Sequence, residues 1–161
     1  MSGPIKVLFI CTGNCCRSQM AEAILRHVGG DRFAAFSAGS NPAGYVHLLA
    51  QEAMERMGIS MAGQYSKSWD VYEHEPMDAI ITVCDSAASQ PCPHWAGHPA
   101  TAHWGLPDPS FSLGTDDDRM ALAVGVACQA RRWIEQMVVL PLEKMSPEQL
   151  KVELQRIASP A

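Results

Sequence analysis

The chain has 161 residues, enough for one domain, residues 1–161, with a core that needs neither metal nor disulfide staples. Apolar residues make up 47% and charged residues 18%, a globular composition that excludes a disordered chain. A formal net charge of -5 without a Lys/Arg cluster argues against nucleic acid as a partner. It also requires that any anionic substrate be drawn in by a local site.

Residues 6–11 are short, β-rich and apolar without alternation, which predicts a strand covered on both faces. Residues 12–17 form a polar loop in which Gly13 and Asn14 tolerate unusual backbone angles. A helix starts at Ser18, buries Ala21, Ile24, Leu25 and Val28, and ends at Gly29-Gly30. Residues 33–38 predict a second strand closed by Gly39. Residues 46–57 predict a second helix, with Val46, Leu49, Ala50, Ala53 and Met57 on one face. Residues 79–83 predict a third buried strand, followed by a loop rich in Ser, Pro and Cys from Cys84 to about His98. A brief strand over residues 100–104 leads into a loop, residues 106–114, that contains Pro107 and Pro109. Met120, Ala123, Val124, Ala127, Ile134 and Met137 mark a long helix. The last helix opens on a capping box of Ser146, Pro147 and Gln149 and buries Leu150, Leu154 and Ile157. Strands alternating with helices predict an α/β three-layer sandwich around a mainly parallel sheet.

Val7 to Ile10 is the longest apolar run near the N-terminus, too short for a signal-peptide core or a membrane span. The expectation is a cytoplasmic protein without a membrane partner. In that compartment the six cysteines are expected to be core or redox-active thiols, not permanent staples.

The chemistry concentrates in Cys11-Thr12-Gly13-Asn14-Cys15-Cys16-Arg17-Ser18, between a buried strand and a helix N-terminus. Ligands in α/β sheets bind at the carboxyl ends of strands. N–H groups at a helix start lack internal partners and suit an anion, and a loop this long can wrap its amides around one tetrahedral oxyanion. The same amides and Arg17 favour the Cys11 thiolate, the nucleophilic form. Arg17 can grip two oxyanion oxygens with its planar fork, and the Ser18 hydroxyl is placed to donate to the Cys11 sulfur. Read blandly, Cys11 is a buried strand-end cysteine and Arg17 an exposed helix arginine; the ordered strand–loop–helix context favours the functional reading. Such a nucleophile needs a proton donor for the leaving oxygen, and Asp108, held between Pro107 and Pro109, is the candidate. His94, His98 and His103 match no zinc spacing, so no metal site is expected there.

With these residues in view the chain resembles the low-molecular-weight protein tyrosine phosphatases and the arsenate reductases built on that fold. The resemblance rests on Val7-Leu8-Phe9-Ile10-Cys11-Thr12-Gly13-Asn14, Cys16-Arg17-Ser18, Phe36-Ser37-Ala38-Gly39 and the downstream Asp108-Pro109. Gln64-Tyr65-Ser66-Lys67, Thr82-Val83-Cys84-Asp85 and His103-Trp104-Gly105-Leu106-Pro107-Asp108-Pro109 look like the thioredoxin-coupled arsenate reductase branch. It implies a four-stranded parallel sheet flanked by helices, Cys11 as nucleophile, Arg17 as oxyanion binder and Asp108 as general acid. It further implies a relay in which Cys84 attacks the Cys11 sulfur to release arsenite, and Cys92 carries the disulfide onward. The partners implied are arsenate, with phosphate and sulfate as competing anions, and an external thiol reductant: thioredoxin, or glutaredoxin with glutathione. No tightly bound cofactor is implied, and a monomer is expected. The alternative is a tyrosine phosphatase that hydrolyses phosphotyrosine or aryl phosphates through a Cys11 phosphoenzyme. Ser110 in place of an aromatic after Asp108-Pro109 predicts a shallow site, which favours the small ion. Asn14, Glu22 and Ser37 match family positions that bind potassium, although the accompanying aspartate is not evident around Tyr65 and Ser66. Cys15 replaces a more usual small polar residue; neither Cys15 nor Cys16 is assigned a required role, and Cys128 is expected in the core.

Overall fold

Val7 through Cys11 are each at most 2% exposed, so the strand they form has no solvent face. A strand buried at consecutive positions must lie in a sheet covered on both sides. The computed structural model, which describes residues 3–84, 95–111 and 113–159, has that architecture. Strands β1 (Ile5–Cys11), β2 (Phe33–Gly39), β3 (Ala79–Thr82) and β4 (Ala100–His103) form one parallel sheet in the order β2-β1-β3-β4. Among the described residues four α-helices flank it: α1 (Arg17–Gly29), α2 (Leu48–Arg56), α3 (Asp116–Val138) and α4 (Pro147–Ala158).

The strand order reverses at β1. The chain leaves β1 for β2 on one side, then crosses back to β3 on the other. That reversal opens a crevice beyond the carboxyl end of β1, where α/β sheets take their ligands. The register sets Cys11 opposite Gly39, while Ile10 pairs with Thr82, two residues before Cys84. Strand ends from three segments therefore meet at one rim.

Helix boundaries follow capping chemistry. α3 starts where Thr115 and Asp118 form a reciprocal capping box, with Asp116, Asp117 and Asp118 at the positive end of its dipole. α4 starts at the expected Ser146/Gln149 box with Pro147 in its first turn. α2 starts two residues later than the apolar pattern predicts, because His47 caps it: its Nδ1 accepts from the Leu49 amide at 3.1 Å. At the outer strand, Gln155 of α4 bonds both main-chain groups of His103, at 2.9 and 3.0 Å. Trp104, 1% exposed, packs against Phe9 and Trp133 and donates its indole N–H to Leu154 O at 2.8 Å, tying β4 to α4. No described helix is long and apolar enough to cross a membrane.

Candidate active site: an oxyanion loop with two thiols

Every peptide bond described is trans, so the carbonyl of one residue and the N–H of the next point in opposite directions. That rule orients the loop after β1. Thr12 O accepts from Asn41 N, Gly13 O from Ala43 N and Ser66 Oγ, Asn14 O from Gln19 Nε2, and Cys15 O from His47 N. Cys16 O accepts from Met20 N within the first turn of α1. All these carbonyls are tied to the surrounding protein, so the amides of residues 13 to 17 turn to the concave side. A row of inward N–H groups at a helix N-terminus is a nest for an oxyanion. Asn14 sits at φ 47°, the left-handed conformation that the bend requires and that asparagine tolerates. Gly39 lets β2 come close: a Cβ there would stand 2.5 Å from Thr12 O and 3.0 Å from Asn14 N.

The loop is braced from below by polar residues of α1 that are buried. Ser18 and Gln19 are fully buried and Glu22 is 5% exposed. Buried polar groups must find partners, and these do. Asn14 Nδ2 donates to Ser18 Oγ at 2.8 Å, and Ser18 Oγ lies 2.9 Å from Cys11 Sγ. Gln19 Nε2 donates to Asn14 O, Asn14 Oδ1 and Tyr65 O, while Gln64 Nε2 donates to Gln19 O and Oε1. Lys67 N donates to Asn14 Oδ1 at 3.0 Å. Ser37 Oγ donates to Glu22 Oε1 at 2.6 Å, a buried carboxylate being a strong acceptor.

Arg17, Asp108 and Cys11 line one cavity. Arg17 Nη1 donates to Leu106 O at 3.1 Å and Nη2 to Asp108 Oδ2 at 3.2 Å. Its buried Nε has no hydrogen-bond partner among the described residues, a donor left for a ligand. Asp108 is oriented by Ser110, whose N and Oγ donate to Oδ1 at 2.9 and 2.6 Å. Ser110 thus has a positioning contact that the sequence did not reveal. Cys84, 3% exposed, sits across the crevice: the Thr12 amide donates to its Sγ at 3.3 Å, and Thr12 Oγ1 is 3.5 Å away. Cys92 lies outside the described residues.

One cavity of about 710 Å³ holds these groups. Cys11, Cys15, Cys16, Arg17, Cys84 and Asp108 line it, and Tyr45 and His47, from the segment before α2, stand on its wall. It is roomier than the shallow site read from Ser110, because the segment before α2 supplies a wall that the motif around Asp108 does not encode. Burial, then the charge of Asp108, pushes the Cys16 thiol up to about 12, so it stays protonated. Cys15 is pushed up as well, first by burial and then by Cys11 and Asp108. Among the described residues no group of three or more His, Cys, Asp or Glu side chains is arranged to hold a metal. Cys128, on α3, is a half-buried free thiol.

Comparison with known proteins agrees with this geometry. The chain is 36% identical over 115 residues to the arsenate reductase of Bacillus subtilis (strain 168), covering 71% of this chain and 81% of that protein. A solved arsenate reductase in its phosphate-binding state superposes with a TM-score of 0.70 at 28% identity, covering 84% of this chain and 97% of the other. A thioredoxin-dependent arsenate reductase of Corynebacterium glutamicum superposes with a TM-score of 0.60 at 28% identity, covering 83% of this chain and 63% of that one. Residues 6–138, from the second residue of β1 to the end of α3, match the low molecular weight phosphotyrosine protein phosphatase family, and the chain belongs to that family.

Proposed function

We propose that this protein reduces arsenate to arsenite, with Cys11 as nucleophile and Cys84 as the thiol that resolves the adduct. The observation that carries the reading is the second sulfur: Cys84 Sγ is hydrogen-bonded to Thr12, the residue next to Cys11, and faces the same cavity. Hydrolysis of a phosphoenzyme needs only water there; a buried thiol at the nucleophile's shoulder suits a disulfide exchange. The arsenate reductases among its relatives support the same choice.

Arsenate binds in the nest of amides, with Arg17 across two of its oxygens. The Cys11 thiolate attacks arsenic and a sulfur–arsenic bond forms. An arsenic–oxygen bond breaks, and Asp108 gives the departing oxygen its proton so that water leaves. An incoming dianion competes with Asp108 for Arg17, which donates to both. The Cys84 thiolate then attacks Cys11 sulfur. The sulfur–arsenic pair stays on arsenic, which falls from the pentavalent to the trivalent state and departs as arsenite, leaving a Cys11–Cys84 disulfide. Cys92 attacks Cys84 and frees Cys11, and an external dithiol of the thioredoxin or glutaredoxin kind reduces the Cys84–Cys92 bond.

Single-turnover reduction without added reductant tests the scheme. The expected yield is about one arsenite per chain with a Cys84–Cys92 disulfide in the mass map. Cys92→Ser should stop with Cys11 joined to Cys84, and Cys84→Ser should release no arsenite. Steady-state arsenate reduction unchanged by both substitutions would overturn the relay. Rapid aryl phosphate hydrolysis with no arsenite formed would favour the phosphatase instead, a reading to which Tyr45 on the cavity wall lends an aromatic surface.

A further inference from the structure

The family resemblance marks Asn14, Glu22 and Ser37 as positions that can bind potassium, and the oxygens found there do not fit such an ion. Asn14 Oδ1 already accepts from Lys67 N and from Gln19 Nε2, at 3.0 and 3.1 Å. Glu22 Oε1 accepts from Ser37, and Oε2 is paired with Arg26. A cation would have to displace these donors. It would also stand beside the Arg26 guanidinium, which is already paired with Glu22.

We propose that the Lys67 ammonium is the resident cation of the layer beneath the oxyanion loop, so that potassium neither binds there nor activates the enzyme. Lys67 is 8% exposed, unusual for a lysine, and every polar group it has is committed. Its N–H holds Asn14, its carbonyl accepts from Gly39 N at 2.9 Å, and Nζ donates to Tyr65 O at 2.8 Å. Nζ also lies 4.4 Å from the centroid of the Tyr65 ring, a cation–π distance. Tyr65 O is shared with Gln19 Nε2 at 3.0 Å. From there Gln19 holds Asn14, Asn14 holds Ser18, and Ser18 meets Cys11 Sγ. Lys67 is therefore a positioning residue: its charge fixes the Tyr65 carbonyl and, through Gln19 and Asn14, the side of the loop that carries Ser18. A bound potassium would do the same work from outside the chain.

The role deepens the arsenate reading, but two of its tests do not depend on which oxyanion is turned over. The thermal midpoint of the whole protein and the rate of Cys11 alkylation by iodoacetamide are measured in potassium, sodium and tetramethylammonium chloride at equal ionic strength. A cation that binds only the native state raises the midpoint, so the wild type is expected to give one value in all three salts. Lys67→Met keeps the stem and removes the charge. It should slow Cys11 alkylation and kcat by about tenfold and recover part of both in potassium or ammonium but not in tetramethylammonium. A potassium-specific rise in the wild-type midpoint or rate would overturn the proposal. So would a folded Lys67→Met protein with wild-type Cys11 reactivity. Should Lys67→Met not fold, the wild-type salt series alone decides. Loss of arsenate turnover in the wild type, with the salt and alkylation results as expected, would count against arsenate as substrate and not against Lys67.

Discussion

Asn14 donates its side-chain N–H to Ser18 Oγ, which leaves the hydroxyl's own hydrogen free for the Cys11 sulfur 2.9 Å away. A thiolate carries no hydrogen, so when Cys11 is the nucleophile Ser18 is the donor of that bond. Ser18→Ala is expected to cut kcat/KM for arsenate by roughly 10- to 100-fold, the worth of one hydrogen bond to a charged group. Cys11 alkylation should slow in parallel, and the thermal midpoint should fall because the buried Asn14 amide loses its acceptor. Unchanged alkylation would mean that the hydroxyl serves the fold alone.

Two glycines give opposite expectations. Gly39→Ala drives a Cβ against the Thr12 carbonyl, a backbone atom that the Asn41 amide already holds. It should cost about 1–3 kcal/mol of stability and lower activity, since the displaced carbonyl shares its peptide with the Gly13 amide of the nest. Gly125 is exposed in the interior of α3 with open space around it, so Gly125→Ala should stabilise by about 0.5–1 kcal/mol and leave activity alone. Urea midpoints of the two variants check both signs.

Alkaline pH should unfold the protein through groups that burial keeps neutral. Cys16 is raised from 9.0 to about 12 and Tyr72 from 10.0 to about 12, each chiefly by desolvation. The unfolded chain loses these protons first, so their contribution is complete below pH 9 and fades as pH climbs toward about 12. Cys16→Ala should flatten the fall of the urea midpoint between pH 9 and 11. It should also leave the count of rapidly alkylated thiols at pH 8 unchanged.

Arg17→Lys tests the fork. Arg17 spans Leu106 O and Asp108 Oδ2 with two nitrogens, and a single ammonium cannot hold both and a substrate as well. The expected result is a rise in KM for arsenate together with a loss in kcat of about tenfold or more, because Asp108 loses its guide. A rise in KM alone would separate oxyanion binding from placement of the acid.

Much of this site was legible because its chemistry is written in neighbouring residues. Cys11 through Ser18 lies between one strand and one helix, so the strand end, the anion nest and Arg17 could be read from eight consecutive positions. Asp108, marked by its flanking prolines, also stands where it was expected. The layer beneath the loop was not legible. Gln19, Gln64, Tyr65 and Lys67 meet across more than 40 positions, and no periodicity announces a side-chain bond of that reach. A hint was present: Ser18, Gln19 and Glu22 begin a helix that enters the core, and buried polar groups imply partners elsewhere. The cavity wall was missed for a similar reason, since Tyr45 and His47 arrive from the approach to α2.

The pair of bonds from Gln155 to the His103 backbone has a bearing on solubility. β4 ends the sheet, and an unpaired border strand invites a second molecule to add its own. One amide side chain on the final helix imitates the missing neighbour at that spot and occupies both groups a stranger would need. A strand added at this point of β4 would first have to displace Gln155 from both bonds.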